Sequence, residues 1–207
     1  MATKSQTNQG RKTRSNPGAG EGDGILSWGS TGVLAGAALA GAAAGIAANV
    51  GRKLFVQMQS GASSDWLEAL KTEHRLTLAL FDKIQATDNS QTIVRSHLLA
   101  KLKYALDKHA VEEENVIYPA LRQANQAHDA DTLNSEHGYV KTYLYELETM
   151  RKDSPEWIAR VRDFRSMLQE HMRMEEDEVF PAFQRSLSDE QNSKLTALMN
   201  KEGYKVA

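Results

Sequence analysis

The chain has 207 residues, a formal net charge of −2 and no cysteine. This length allows one medium-sized domain with appendages. The slightly acidic balance argues against nucleic acid as a partner, and the lack of cysteine excludes disulfides, thiolate metal sites and a thiol nucleophile.

The N-terminal quarter of the chain contains two regions of different character. Residues 1–24 are polar, mildly basic and without apolar periodicity, which predicts a disordered tail. Residues 25–56 form a Gly/Ala-rich apolar segment, and its part 25–50 carries no charge. That part is long enough for a membrane-spanning helix, which needs roughly 20 mostly apolar residues, and its small-x-x-x-small spacings also suit self-association. A flexible linker and a cleaved signal peptide remain alternatives, because Ala and Gly contribute little transfer energy.

The region 64–203 predicts an all-α domain, an up-down-up-down four-helix bundle with a short fifth helix. Start signals are Asp65 for the first helix, Ser154 for the fourth and Ser188 for the fifth. The predicted helices cover about 65–86, 92–126, 133–151, 155–186 and 188–203. Short connections between long helices imply that consecutive helices are antiparallel.

Two stretches of the predicted bundle repeat one pattern. KHAVEEENVIYPAL begins at Lys108 and EHMRMEEDEVFPAF at Glu170, and each contains His-x-x-x-Glu followed by aromatic-Pro-Ala. A helix with one further histidine precedes each stretch. At 100° per residue, all four histidines and one glutamate of each stretch fall on the apolar faces of their helices. The candidate metal ligands are His74, His109, Glu113, His137, His171 and Glu175.

Burial of this set requires compensation. A buried carboxylate without a partner loses its hydration and tends to take up a proton. One histidine on an apolar face is usually a hydrogen-bonded core residue, but four imidazoles and two carboxylates in matching positions are better explained by a pair of metal ions. Imidazole and carboxylate ligands together suit iron or manganese.

The same helical geometry sorts the neighbouring acidic residues. Those predicted to face solvent are Glu112, Glu114 and Asp177, so Glu112→Ala is expected to have almost no effect. Glu178 is predicted to point inward as an additional ligand or a supporting acceptor. Glu176 is a fallback ligand if its helix is distorted, and Glu73 and Glu136 are candidates for supporting the histidine ligands.

These residues resemble the hemerythrin family, in particular its HHE cation-binding branch, over about residues 64–186. The resemblance implies two iron ions joined by an oxo or hydroxo bridge, with manganese a weaker alternative. Glu113 and Glu175 would bridge the ions, and the four histidines would be terminal ligands. Oxygen-carrying hemerythrins have a further histidine where this chain has Lys141. The resulting site is harder and richer in carboxylate, which favours ferric iron and argues against reversible oxygen transport.

The resemblance also implies a function. It predicts a non-haem di-iron protein that senses, scavenges or reacts with oxygen, peroxide or nitric oxide, or that reports iron. The expected partners are small diatomic or peroxide ligands, with no nucleic acid. Two alternatives are a peroxidase- or oxidase-like enzyme and a membrane-anchored or oligomeric scaffold whose metal is structural. The expected location is membrane-associated or cytoplasmic, with the metal-binding domain on the cytoplasmic side.

Overall fold

The computed structural model describes residues 65–206, and all regular structure in that part of the chain is helical. The elements are α1 (Trp66–Gln85), α2 (Thr92–Glu112), a first π-helical segment (Glu113–Ile117), α3 (Tyr118–Gln123), α4 (Ala127–Thr149), α5 (Pro155–Arg173), a second π-helical segment (Met174–Val179), α6 (Phe180–Ser186) and α7 (Asp189–Val206). The π-helical segments join α2 to α3 and α5 to α6, so four long helical units form the bundle. The predicted all-α bundle with a fifth helix is confirmed.

The predictions for the N-terminal quarter of the chain are not tested by this structure. The tail 1–24 and the Gly/Ala-rich segment 25–56 lie outside the described residues. Between residues 65 and 206, no helix combines the length and the apolar character that crossing a membrane requires.

Side-chain caps fix three of the helix starts. Asp65 Oδ1 accepts the N–H of Leu67 at 2.9 Å, and Ser154 Oγ accepts the N–H three residues further on at 3.2 Å. Ser188 donates its N–H to Gln191 Oε1 at 2.9 Å, and Gln191 donates its N–H back to Ser188 Oγ at 3.2 Å. These bonds satisfy N–H groups that have no partner within a helix, as the sequence pattern predicts.

The connection between α3 and α4 is shorter than predicted. The sequence suggests a break as far as residue 132, but α4 begins at Ala127. Asn125 has a φ of 62°, a left-handed conformation that asparagine adopts more readily than most residues. One left-handed residue ends α3, so the chain turns within a few residues. Ala130 then lies buried in the first turn of α4.

Two apolar clusters fill the bundle, and the candidate ligands lie between them along each helical unit. One cluster includes Trp66, Leu70, Ile117, Leu133 and Phe183. The other includes Phe81, Leu102, Leu144, Trp157 and Phe164. In α1, for example, His74 follows Leu70 of the first cluster and precedes Phe81 of the second. The ligand candidates therefore form a buried polar layer in an otherwise apolar core.

Helix α7 packs against α1, α2 and the first π-helical segment. The backbone N–H of Trp66 donates to Thr196 Oγ1 at 3.0 Å, and its indole Nε1–H donates to Asn192 Oδ1 at 2.9 Å. Leu195 and Met199 are buried in the first apolar cluster. The fifth helix is thus part of the domain core, and it covers one flank of α2.

Candidate metal centre

The structure brings all six predicted ligands together in the buried polar layer. Nε2 of His74 lies 2.9 Å from Nε2 of His109. Each glutamate connects two histidines: Glu113 Oε1 is 3.3 Å from His109 Nε2 and its Oε2 is 3.3 Å from His137 Nε2. Glu175 Oε2 is 3.5 Å from His74 Nε2 and its Oε1 is 3.4 Å from His171 Nε2. Separations near 3 Å are those of neighbouring ligand atoms around an ion bound at about 2.1 Å.

The donor atoms form two adjacent groups, in each of which they lie within 4.8 Å of one another. The first metal position, as we name it, comprises His74, His109, Glu113 and Glu175. The second metal position comprises Glu113, His137 and His171. Glu113 belongs to both groups, as expected of a carboxylate that bridges two ions. The assignment of these residues as ligands remains a prediction, but their placement fits a pair of cations.

Each histidine ring is held at its other nitrogen by a glutamate. The four contacts are His74 Nδ1 to Glu176 at 2.7 Å, His109 Nδ1 to Glu73 at 3.1 Å, His137 Nδ1 to Glu114 at 2.9 Å and His171 Nδ1 to Glu136 at 2.7 Å. An ionised carboxylate only accepts hydrogen bonds, so each Nδ1 carries the proton. Every Nε2 therefore presents a lone pair to the centre, which is the tautomer that binds metal.

The facing nitrogens of His74 and His109 are arranged to share a cation. Two lone pairs 2.9 Å apart repel each other. A proton is a poor solution, because burial lowers the pKa of His74 and lowers the pKa of His109 to about 3. A metal ion turns the same pair of lone pairs into two ligands, so the arrangement fits a metal better than a hydrogen bond.

The two inner carboxylates need a cation for a related reason. Burial raises the pKa of Glu175 to about 8 and raises the pKa of Glu113 well above its usual value. Among the described residues, Glu113 Oε1, Glu175 Oε2 and His171 Nε2 are buried without a hydrogen-bond partner. Unsatisfied buried polar atoms are rare in native proteins, and an ion at this place would satisfy all three.

Tyr118 is a residue of the site that the sequence analysis missed. Its hydroxyl is buried and lies 3.1 Å from Glu113 Oε2, 2.8 Å from Glu175 Oε1 and 3.1 Å from His137 Nε2. Regular α-helical geometry places Tyr118 about 180° from His109, on the outer face. The first π-helical segment inserts extra residues into the turn and rotates Tyr118 inward. The equivalent position of the second repeat holds Phe180, so only one repeat supplies a hydroxyl.

Several predictions for the neighbouring acids are wrong. Glu112 does not face solvent but is 2% exposed, with Lys108 Nζ 2.5 Å from its Oε1. Glu114 is half-buried against His137. Glu178 points outward and pairs with Arg173, because the second π-helical segment changes the helical phase before residue 178. Among the remaining predictions, Asp177 is exposed as expected.

Two other expectations concern the support of the ligands. Glu73 and Glu136 hold histidine Nδ1 atoms as suggested, while Glu176, the fallback ligand, holds His74 from outside the inner group. Lys141 lies away from the six ligands, with its Nζ 3.2 Å from Glu114. Because position 141 holds a lysine, this helix adds no second histidine to the six predicted ligands.

Comparison with known proteins agrees with this site. The model of the hemerythrin HHE cation binding domain matches residues 66–183, a span that contains all six predicted ligands. The chain belongs to this family. The hemerythrin-like HHE domain implies metal binding, with iron the expected metal. The structure now shows how the residues that carry the resemblance share one buried layer.

Individual relatives of the hemerythrin HHE domain are distant. A DNA nickase of Nostoc sp. is 28% identical over 127 residues, which cover 61% of this chain and 36% of that protein. An uncharacterized hemerythrin-like protein of Schizosaccharomyces pombe is 25% identical over 133 residues, which cover 63% of this chain and 64% of that protein. The chain thus spans about a third of the length of the first curated relative and just under two thirds of the length of the second.

A solved structure supports the fold. The crystal structure of a hemerythrin HHE cation binding domain-containing protein from Mycobacterium kansasii aligns with a TM-score of 0.61 and 24% identity. The alignment covers 69% of this chain and 86% of that chain. This likeness is one of fold: both chains form the same kind of helical bundle.

Proposed function

We propose that this protein holds two iron ions and uses them to react with, scavenge or sense oxygen, peroxide or nitric oxide. The observation that carries the proposal is the inner set of four Nε2 lone pairs and two carboxylates, arranged in two groups that share Glu113. Carboxylate and imidazole donors suit iron. A bridged iron pair would supply redox chemistry and open positions for small ligands.

The residues of the chain prepare the centre for this use. The four outer glutamates fix the imidazole rings and increase the basicity of the metal-binding nitrogens. The hydroxyl of Tyr118 donates within the buried layer, where it contacts both inner carboxylates. The two apolar clusters on either side keep bulk water away from the centre. Oxidisable metal ions would be protected from solvent by this packing.

A pocket of about 250 Å³ leads from the surface to the His74 side of the site. Its lining residues are His74, Arg75, Leu78, Gln169, Met172, Arg173, Glu176 and Asp177. This volume is large enough to admit a diatomic molecule or a peroxide. The pocket therefore supports access of diatomic or peroxide ligands to the His74 side of the site.

A structural role for the metal is the second candidate. The inner polar layer interrupts the apolar core, so ions that neutralise it would also stabilise the fold.

Metal analysis and optical spectroscopy test the proposal. Full-length protein produced in iron-replete medium should contain about two iron ions per chain, one for each group of donor atoms. A bridged ferric pair should give near-ultraviolet absorption that changes on exposure to peroxide or, after reduction, to oxygen or nitric oxide. Protein without iron would contradict the proposal. Iron whose spectrum none of these molecules changes would favour the structural role.

A further inference from the structure

A buried charged cluster lies behind the first metal position. Lys108 Nζ contacts Glu73 Oε1 and also lies 2.5 Å from Glu112 Oε1. Glu73 Oε2 in turn accepts the Nδ1–H of His109 at 3.1 Å. A continuous series of hydrogen bonds therefore runs from Glu112 through Lys108 and Glu73 to a predicted metal ligand.

Helix α7 closes over this cluster at Gly203. A Cβ added to Gly203 would lie 1.8 Å from Glu112 Oε1 and 3.2 Å from Lys108 Cε. The first distance is far inside van der Waals contact, so a side chain at position 203 would have to displace the Glu112 carboxylate or α7 itself. The approach buries Glu112 and Lys108 beneath α7.

Within residues 65–206, the second repeat has no such cluster behind its metal position. Sixty-two residues later, Glu170 stands where the first repeat has Lys108, and Met174 stands where it has Glu112. The carboxylate of Glu170 is 62% exposed and pairs with Arg173. Glu136, which holds His171, is 28% exposed, whereas the equivalent Glu73 is 11% exposed. The two metal positions thus have different outer supports.

We propose that α7 is a support of the first metal position and that Gly203, Lys108 and Glu112 are positioning residues for His109. This inference rests on the proposed di-iron function. Lys108 fixes the Glu73 carboxylate that orients the His109 ring, and α7 fixes Lys108 and Glu112. Loss of an outer partner of a metal-bound histidine typically weakens metal binding about 10- to 100-fold. Displacing α7 should therefore weaken the first position selectively.

A pair of glycine substitutions tests this selectivity. Gly203 and Gly138 are both helical, so alanine should favour the helix equally at either position, but a Cβ at Gly138 would meet nothing within 4 Å. Anaerobic titration with Fe²⁺ should show two tight sites in the wild-type protein and in Gly138→Ala. In Gly203→Ala, one site should remain tight and the other should weaken about 10- to 100-fold. Two unchanged tight sites in Gly203→Ala would overturn the inference.

A second comparison keeps the inference testable if Gly203→Ala does not fold. Lys108→Met with Glu112→Leu replaces both side chains under α7 with apolar ones of similar volume, which should preserve the packing of α7, and it leaves Glu73 with His109 as its remaining partner. This double variant should also weaken one Fe²⁺ site about 10- to 100-fold. Glu170→Met, at the equivalent exposed position, should retain both sites. Equal weakening of both sites in the double variant would contradict a role confined to the first position.

The titration separates this inference from the function on which it rests. A wild-type protein that binds no Fe²⁺ overturns the proposed function and the inference together. If the wild-type protein has two tight sites and the double variant binds Fe²⁺ with the same two affinities, the inference is overturned and the proposed function is not. The near-ultraviolet spectrum of the ferric form provides the second readout, since loss of one ion removes the bridge.

Discussion

Replacing Glu113 with alanine should abolish tight iron binding at both metal positions. Glu113 is the residue common to the two donor groups, and its two oxygens lie 3.3 Å from His109 Nε2 and 3.3 Å from His137 Nε2. Its loss removes one negatively charged donor from each position. The expected reduction in affinity exceeds the ~10- to 100-fold typical of an outer partner. Iron content after gel filtration measures the effect directly.

The thermal stability of the iron-loaded protein should fall with the iron content. A ligand that binds only the folded state stabilises it by about 4 kcal/mol when present at ~1,000 times its dissociation constant. Glu113→Ala should lose this increment, so iron should raise the melting temperature of the wild-type protein and leave that of the variant almost unchanged. Melting curves recorded with and without Fe²⁺ isolate the metal contribution from any cavity left by the substitution.

Two other glutamates provide graded controls. Glu68→Ala removes an exposed acid of α1 and should leave both metal positions intact. Glu114→Ala removes the partner of His137 Nδ1 and should weaken the second position about 10- to 100-fold. A Glu113→Ala protein that retained one tightly bound iron would show that the carboxylate is not shared between the positions.

The helical bundle and the identity of the inner residues could be predicted because both depend on periodicity and local signals. Caps such as Asp65 and Ser154 form bonds within a few residues, so their sequence pattern contains the necessary information. His109 lies in α2 and Glu113 is the first residue of the π-helical segment, so the phase has hardly changed at these positions and both residues are buried as predicted. The left-handed Asn125 was not predicted, because a single residue in this conformation leaves no periodic signal.

The outer part of the site depends on two features that α-helical periodicity does not contain. The π-helical segments change the phase of the residues within them and after them, which brings Tyr118 inward and turns Glu178 outward. Glu112 points away from the core of the four-helix bundle, as predicted from its position on α2. It is nevertheless buried, because α7 packs on that side of α2. The numbers of residues between each histidine and the acidic and aromatic residues that follow it could have suggested the π-helical segments. The second feature requires the tertiary position of Gly203.

In the metal-free protein, the free energy of unfolding should fall as pH rises from about 6.5 to about 8. Burial raises the pKa of Glu175 to about 8 and raises the pKa of Glu113 well above its usual value. Such a carboxyl keeps its proton in the folded state after the unfolded chain has lost it near pH 4.3. Its contribution to stability is therefore present at low pH and is lost as pH rises through the folded pKa.

The lower limit of this window comes from the histidines. Burial lowers the pKa of His74 and lowers the pKa of His109 to about 3, so their contribution to stability is lost as pH falls below about 6.5. Above that pH, the change in the free energy of unfolding with pH comes from the inner carboxyls and no longer from the histidines. One proton per molecule changes the free energy of unfolding by about 1.4 kcal/mol per pH unit, so one carboxyl accounts for on the order of 2 kcal/mol across the window.

Iron should remove this pH dependence, because the ions take the place of the protons on the inner carboxyls. Urea unfolding at pH 6.5 and pH 8, with a chelator or with iron, measures the difference. Burial and the charge of Glu73 also raise the pKa of Glu112 to about 9, and the slope that remains in the iron-loaded protein measures this residue's share. Glu175→Gln should reduce the slope of the metal-free protein by about one proton. Identical slopes with and without iron would mean that the inner carboxyls are not the groups that the metal neutralises.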